Sequence, residues 1–164
     1  MTEGTIIGPL IHPQAMAEID RKVQASVALG AQVVTGGAPH ALGGSFYQPT
    51  VLTHVTNDMP IAKLEIFGPV SAVMKFSREA DAIAIANDTE FGLAAYFYAR
   101  DIGRIWRVAE ALEYGMVGIN EGIISNTAAP FGGMKSSGLG REGSKHGIDE
   151  YLEIKYLCMG GLDS

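Results

Sequence analysis

The sequence predicts an α/β fold: a mainly parallel sheet with flanking helices. Two observations carry that expectation. Strand-like runs alternate with helical ones along the chain, the order that a parallel sheet with crossover helices requires. A long irregular stretch, residues 121–140, follows the end of a strand-like run, where α/β proteins place their ligands. No internal repeat, low-complexity segment or linker divides the chain.

The elements follow in order. Met16, Ile19, Val23 and Val27 recur at helical spacing, and Gly30 stops that helix. "AQVVTGG" reads as a short strand ending in a turn. "FYQPTVLTHV" reads as extended, with Pro49 marking an edge or a bend. "PVSAVMKF" is the next strand. Glu79 to Asn87 is helical, with acidic residues in its first turn. "LAAYFYA" is a strand. Asp101 can cap a helix that carries Ile102, Ile105, Trp106, Ala109 and Leu112 on one face, and Gly115 ends it. "MVGIN" is a strand that feeds the irregular stretch. A short helix near Arg141 to Tyr151 leads to a final strand, "LEIKYLC".

The bulk composition bounds what the chain can do. Its 164 residues suffice for one domain with a core. Hydrophobic residues make up 47%, so part of the apolar surface is expected to lie against another chain or segment. The net charge is −6 and no basic patch is present, which argues against a nucleic-acid partner. The single cysteine, Cys158, allows no internal disulfide and suits a reducing, cytoplasmic setting. There is no signal-peptide pattern and no apolar run long enough to span a bilayer. The expectation is a soluble, intracellular chain without membrane association.

Gly138 to Gly143 spell G-x-G-x-x-G, the dinucleotide fingerprint. That motif needs a strand directly before it and a helix directly after it, so that the helix N-terminus faces a pyrophosphate. Here "PFGGMKSS" precedes it, too rich in glycine and serine for a buried strand. Asp163 has roughly the spacing of the ribose-binding acid but lies in the tail. A glycine-rich turn is the better reading.

Other candidates are weighed the same way. Glu65, before a Phe-Gly-Pro turn, could accept hydrogen bonds from a sugar diol; a surface glutamate is the simpler reading. Ser125 and Asn126 could bind a polar ligand group or serve turn chemistry. Cys158 could be a nucleophile if a neighbour lowered its pKa, but a small strand residue is the plainer account. His12, His40, His54 and His146 lack metal-ligand spacing, so no metal is expected.

"LEIFGPV", "NDTEFGLAAYFYARD", "EALEYGMVGINEGIIS" and "APFGGMKSSGLGREGSKHGIDEYLEIKY" together resemble the C-terminal part of the NAD(P)-dependent aldehyde dehydrogenases. The resemblance runs from about Gly8 to Leu162. Within that family, "GIIS" and "GLGREGSK-x-G" with "YLEIKY" resemble the branch that acts on succinate semialdehyde. The resemblance implies that Glu65 binds the nicotinamide ribose and that Phe67 packs near it. It implies that Ser125 helps hold the substrate's distal carboxylate, that Phe131 lines the substrate channel, and that Gly138 to Gly143 form a turn in the catalytic half. Residues 1–150 then correspond to a partial catalytic domain and residues 151–164 to an oligomerisation strand. One departure stands out: the family usually has an acidic pair before x-F-G-P, and here the first position is Leu64.

The family reaction uses a cysteine thiolate, a thioester, a glutamate base and amide donors for the oxyanion. In the family the nucleophile, the base and the dinucleotide domain lie upstream of the matched region. Cys158 does not match the nucleophile, so no catalytic residue is expected in this chain. Three hypotheses follow. The first is part of an NAD- or NADP-dependent succinate-semialdehyde dehydrogenase, inactive alone, whose catalysis needs a complementing N-terminal half; its expected partners are succinate semialdehyde and either that half or further copies in a homo-oligomer. The second is a non-catalytic oligomerisation or partner-binding module. The third is a small enzyme using Cys158.

Overall fold

A computed structural model describes residues 3–161. Asp163 and the last three positions of the expected 151–164 tail strand lie outside the described residues. The chain divides into two compact units, Met1–Ile85 and Ala86–Ser164.

The first unit begins with α1 (Pro13–Ala28). His12 caps it, its Nδ1 accepting from the Ala15 N–H at 3.0 Å, and Pro13 sits in the first turn, where a missing N–H costs nothing. β1 (Gln32–Thr35) pairs antiparallel with β2 (Thr50–Thr53), and β2 pairs parallel with β3 (Val70–Ala72). The short α2 (Pro60–Lys63) lies between β2 and β3 in sequence. Ile19 and Val23 of α1 pack with Leu52, Val55, Met59 and Ile61 into a buried core.

Ser26 is the polar group inside this core. It is fully buried, donates to the Lys22 carbonyl at 2.9 Å and accepts from the Ile61 N–H at 3.2 Å. Satisfied on both sides, it fastens the first turn of α2 to α1 without the cost of an unpaired polar group. Thr50 does the same for the β1–β2 connection, accepting from the Gly37 N–H at 2.7 Å and donating to the Gln48 carbonyl at 2.8 Å.

α3 (Glu79–Asn87) matches the expected helix and runs across the division between the units. In the second unit, β5 (Ala94–Phe97), α4 (Ile102–Ala111) and β6 (Met116–Ile119) form a β-α-β unit with parallel pairing. Asp101 caps α4 as expected, accepting from the Arg104 N–H at 2.7 Å. β4 (Phe91–Gly92) pairs antiparallel with β7 (Met134–Lys135), a strand inside the stretch expected to be irregular. The Asn87 side chain joins the end of α3 to the end of α4, donating to the Ala111 carbonyl at 2.7 Å and accepting from the Glu113 N–H at 2.9 Å.

Three expectations are corrected. Among the described residues the strands form three small sheets, with two parallel and two antiparallel pairings, rather than one mainly parallel sheet. Pairing is parallel where a helix intervenes, between β2 and β3 and between β5 and β6; β1 and β2 are joined by a loop and pair antiparallel, and the antiparallel β4–β7 pair brackets the whole β5-α4-β6 unit. The helix expected near Arg141 to Tyr151 is reduced to a 3-10 turn at Asp149–Tyr151. Gly143 and Ser144 occupy left-handed backbone conformations, which break a right-handed helix. "LEIKYLC" is exposed and has no ladder partner among the described residues, and Ile154 is fully exposed. A strand exists only against a neighbour.

The units differ in how they are held. Every fully buried large apolar residue among the described residues lies in the first unit. In the second unit the buried positions are Gly92, Gly118 and Gly133, while the Trp106 side chain on α4 stands largely in solvent.

Two outcomes are expected. Ser26→Ala strands the buried Ile61 N–H and lowers stability by about 1–3 kcal/mol, read as a lower urea midpoint at unchanged slope. Burial, and the hydrogen bond from the Tyr47 hydroxyl to Asp20 at 3.1 Å, raise the Tyr47 pKa well above the ordinary phenol value. The folded state therefore holds this proton more tightly than the unfolded chain. The resulting stability is complete below the unfolded pKa of about 10 and is lost as pH rises beyond it. Urea midpoints measured across this alkaline range should fall in the wild type, and the fall should be shallower in Tyr47→Phe.

Candidate functional site

Glu65 and Phe67 sit in the first unit, on the loop between α2 and β3. Leu64 ends α2 in an extended conformation, its N–H still bonded to the Pro60 carbonyl. The loop is short and tightly held. The Lys22 Nζ on α1 donates to the Glu65 carbonyl oxygen. A Cβ at Gly68 would come within 2.2 Å of Ile19 Cδ1, so the loop lies close against the Ile19 side chain of α1 and a larger residue there would require that side chain to move. The Val70 N–H donates to the Gly68 carbonyl at 2.8 Å, and the Thr50 N–H to the Pro69 carbonyl at 2.8 Å, leading the chain into β3.

Between those anchors Phe67 adopts φ +51° and leaves its ring 82% exposed. A left-handed phenylalanine costs on the order of 1–3 kcal/mol, and such strain persists where the surroundings determine it. The Glu65 side chain is exposed, and its carboxylate has no hydrogen-bond or ion-pair partner among the described residues. An acceptor-only group, held by its backbone and open to solvent, is suited to a diol with two hydroxyl donors.

Ser125 and Phe131 sit in the second unit, on the loop that leaves β6. Asn120 starts this loop at φ +56°. Its side chain donates to the Ala99 carbonyl at 2.8 Å and accepts from the Ala99 N–H at 2.9 Å, standing in for one more backbone pair beyond β5 and β6. Glu121 then accepts from the Gly122 and Ile123 N–H groups at 2.8 and 3.0 Å. Asn126, which the sequence offered as ligand or turn residue, makes a turn: its Oδ1 accepts from the Ala128 N–H at 2.9 Å. Ser125 lies exposed just before it.

Phe131 is tied to the glycine-rich segment by a two-bond bridge with Glu142, Phe131 N–H to Glu142 carbonyl at 2.8 Å and the reverse at 2.7 Å. It lines a cleft of about 550 Å3 together with Leu93, Arg141, Glu142, Glu150 and Tyr151. Ser125 does not line that cleft. The Arg141 guanidinium fastens its floor, donating to the Gly133 and Gly140 carbonyls at 2.8 and 2.7 Å. Lys135, at the neighbouring β7, pairs with Glu113 at 2.6 Å and donates to the Asn87 and Thr89 carbonyls.

The G-x-G-x-x-G glycines have a structural account here. Gly138, Gly140 and Gly143 all have positive φ, and turns follow them rather than a helix N-terminus. A Cβ at Gly140 would meet the Glu150 carboxylate at 2.7 Å, and one at Gly132 would meet the Gly140 carbonyl at 2.6 Å. Gly138 is required by its backbone conformation alone, while Gly140 combines positive φ with close packing; together they make a turn.

Cys158 is exposed, outside regular structure. Among the described residues no group of three or more His, Cys, Asp or Glu is placed to hold a metal, and no helix is long and apolar enough to cross a membrane. Sequence reading missed Lys22, which lies 43 residues before its partner, and Arg141, whose partners are backbone carbonyls. Asn120 did carry a signal, since asparagine tolerates the left-handed region better than most residues.

The aldehyde dehydrogenase family model matches residues 1–157, and the chain belongs to that family. It is 60% identical to a glutarate-semialdehyde dehydrogenase of Pseudomonas aeruginosa over 97% of its length. It is 58% identical to the NADP(+) succinate-semialdehyde dehydrogenase of Escherichia coli K12 over 98%. A crystal structure described as an Escherichia coli NADP-dependent enzyme superposes with a TM-score of 0.94 at 58% identity, covering 98% of this chain and 33% of that one. The chain spans about one third of the length of these relatives.

Gly132→Ala is expected to destabilise the protein by about 1–3 kcal/mol, because the new methyl group overlaps backbone that cannot move freely. Gly138→Ala meets no atom within 4 Å and carries only the left-handed strain, about 1 kcal/mol. Thermal unfolding separates the two. Titration of either variant with NAD+ or NADP+ should match the wild type; weakened binding in Gly138→Ala at unchanged fold would restore the pyrophosphate reading.

Proposed function

We propose that this chain is the C-terminal part of a semialdehyde dehydrogenase that oxidises succinate semialdehyde to succinate with NAD+ or NADP+. The observation that carries this reading is the free, exposed Glu65 carboxylate on a loop anchored at both ends, in a chain of this family. Glu65 accepts the hydroxyls of the nicotinamide ribose, and Phe67, already turned outward, packs beside it. Ser125 donates to the distal carboxylate of the substrate, and Phe131 forms part of the substrate channel. The bound nicotinamide supplies the hydride acceptor. The cysteine nucleophile, the general base and the dinucleotide domain belong to the part of the enzyme beyond this chain.

A glutarate-semialdehyde dehydrogenase stands among the relatives, so the substrate class is an aldehyde with a carboxylate at its far end, four carbons long in our reading. The exposed apolar surface of the second unit and of residues 151–161 supports a chain that is completed by other polypeptide, an N-terminal half or a second copy. We assign residues 1–150 to the catalytic domain and residues 151–164 to the oligomerisation strand, with "LEIKYLC" pairing across chains. The setting is the cytoplasm, where an exposed thiol such as Cys158 stays reduced.

A second reading, a non-catalytic oligomerisation module, draws on the same exposed tail. Size-exclusion chromatography tests it: a clean monomer counts against it.

The catalytic reading is tested by absorbance of reduced nicotinamide with succinate semialdehyde and NAD+ or NADP+. The chain alone should give no signal, and the chain complemented by the N-terminal portion should turn over. There Glu65→Gln should raise the KM for the cofactor about tenfold, the worth of one hydrogen bond to a charged group. Ser125→Ala should raise the KM for succinate semialdehyde and leave that for an uncharged aldehyde of equal length unchanged. Turnover by the chain alone, free of any partner, would overturn the assignment of chemistry to absent residues.

A further inference from the structure

We infer that Lys22 is a positioning residue for the cofactor-binding carboxylate of Glu65, an inference that rests on the ribose-binding reading proposed above. Lys22 and Ile19 stand three residues apart on α1, and that spacing puts them on one face of the helix. Both meet the same loop. The Lys22 ammonium donates to the Glu65 carbonyl, and the Ile19 side chain lies where a Cβ of Gly68 would have to be. The loop is thus gripped at residue 65 and at residue 68, with the left-handed Phe67 between the two grips.

The choice of acceptor matters. A lysine near a glutamate would ordinarily pair with its carboxylate. Here the ammonium is spent on the backbone carbonyl, and the carboxylate is left with no partner among the described residues. Binding the carbonyl fixes the peptide plane that follows Glu65, and with it the direction in which the Glu65 side chain leaves the loop. The acid is oriented without being neutralised.

α1 can act as a fixed support because its inner face is part of the core. Ile19 and Val23 are buried, and the Lys22 carbonyl is itself held by the buried Ser26 hydroxyl. Lys22 therefore stands on a helix whose position is set independently of the loop. A carboxylate oriented before the cofactor arrives loses less freedom on binding than one free to rotate. Removing the grip should weaken cofactor use without touching the aldehyde site.

The test compares Lys22→Met, Lys22→Arg and Glu65→Gln, each in the chain complemented by the N-terminal portion of the enzyme. Lys22→Met keeps the apolar stem and removes the donor. It should raise the KM for NAD+ or NADP+ several-fold, up to about tenfold, with the KM for succinate semialdehyde and the melting temperature unchanged. Lys22→Arg, which can still reach the carbonyl, should restore most of the affinity. In the chain itself, amide hydrogen exchange of residues 66–68 should quicken in Lys22→Met while Val23, in the core of α1, exchanges as in the wild type.

If Glu65→Gln raises the cofactor KM and Lys22→Met does not, Lys22 has no positioning role and the ribose reading stands. If Glu65→Gln leaves the cofactor KM unchanged, the ribose reading fails and takes the role of Lys22 with it. If Lys22→Met lowers the melting temperature and speeds exchange throughout the first unit, Lys22 is a structural residue only, and the inference is overturned.

Discussion

In each unit the loop that carries the candidate residues depends on backbone passing close against its neighbours. A Cβ at Gly115 would lie 2.0 Å from the Gly132 carbonyl oxygen, and one at Gly133 would lie 2.6 Å from Ser137 Cβ. These contacts hold the Phe-Gly-Gly segment against the start of β6, and so decide where Phe131 can stand. Gly68 plays the same part in the first unit, letting the loop of Glu65 and Phe67 lie on Ile19. Close packing of this kind forfeits little dispersion energy and leaves little room to move. It places the candidate residues more narrowly than a layer of larger side chains would.

The two units reach order by different means. The first has a conventional core, with Ile19, Val23 and Leu52 removed from water and two buried hydroxyls fully satisfied. The second is held by hydrogen bonds: Asn87 across the ends of two helices, Asn120 across the ends of two strands, and Arg141 on two carbonyls. Many of its large apolar side chains are exposed, Leu139 almost wholly so. The hydrophobic effect acts on that surface as strongly as on any other, at about 25 cal/mol per Å2. A surface of this kind fits a polypeptide that continues its core elsewhere. That agrees with a chain spanning one third of its relatives' length.

The family was legible as motif, and the geometry of the candidate site was not. The E-x-F-G-P and P-F-G-G-x-K-x-S-G motifs carried the resemblance to the family, and that resemblance in turn singled out Glu65, Phe67 and Phe131 as candidates. The same glycines also offered a false fingerprint. It could be set aside from sequence because the flanking strand and helix were missing, and the positive φ angles of Gly138, Gly140 and Gly143 now give the turn its physical account. Lys22 was invisible for the opposite reason. Its partner is a main-chain carbonyl, which every residue carries, so no residue type at the far end announced the contact.

By itself the sequence determined the elements that local rules govern. α3 at Glu79–Asn87, the Asp101 cap of α4 and the helical stripe through Ile19 and Val23 all follow from periodicity and capping within one or two turns. It also determined the family, since motif spacing survives without coordinates. Only the tertiary structure decided the pairing of the strands into three small sheets and the seating of the loop of Glu65 and Phe67 on α1. It also decided that "LEIKYLC" has no ladder partner among the described residues. The physical reason is the range of the interactions. A helix closes its hydrogen bonds four residues away and can be read from a short window, whereas a strand or a clamped loop is defined by a neighbour tens of residues distant, or on another chain.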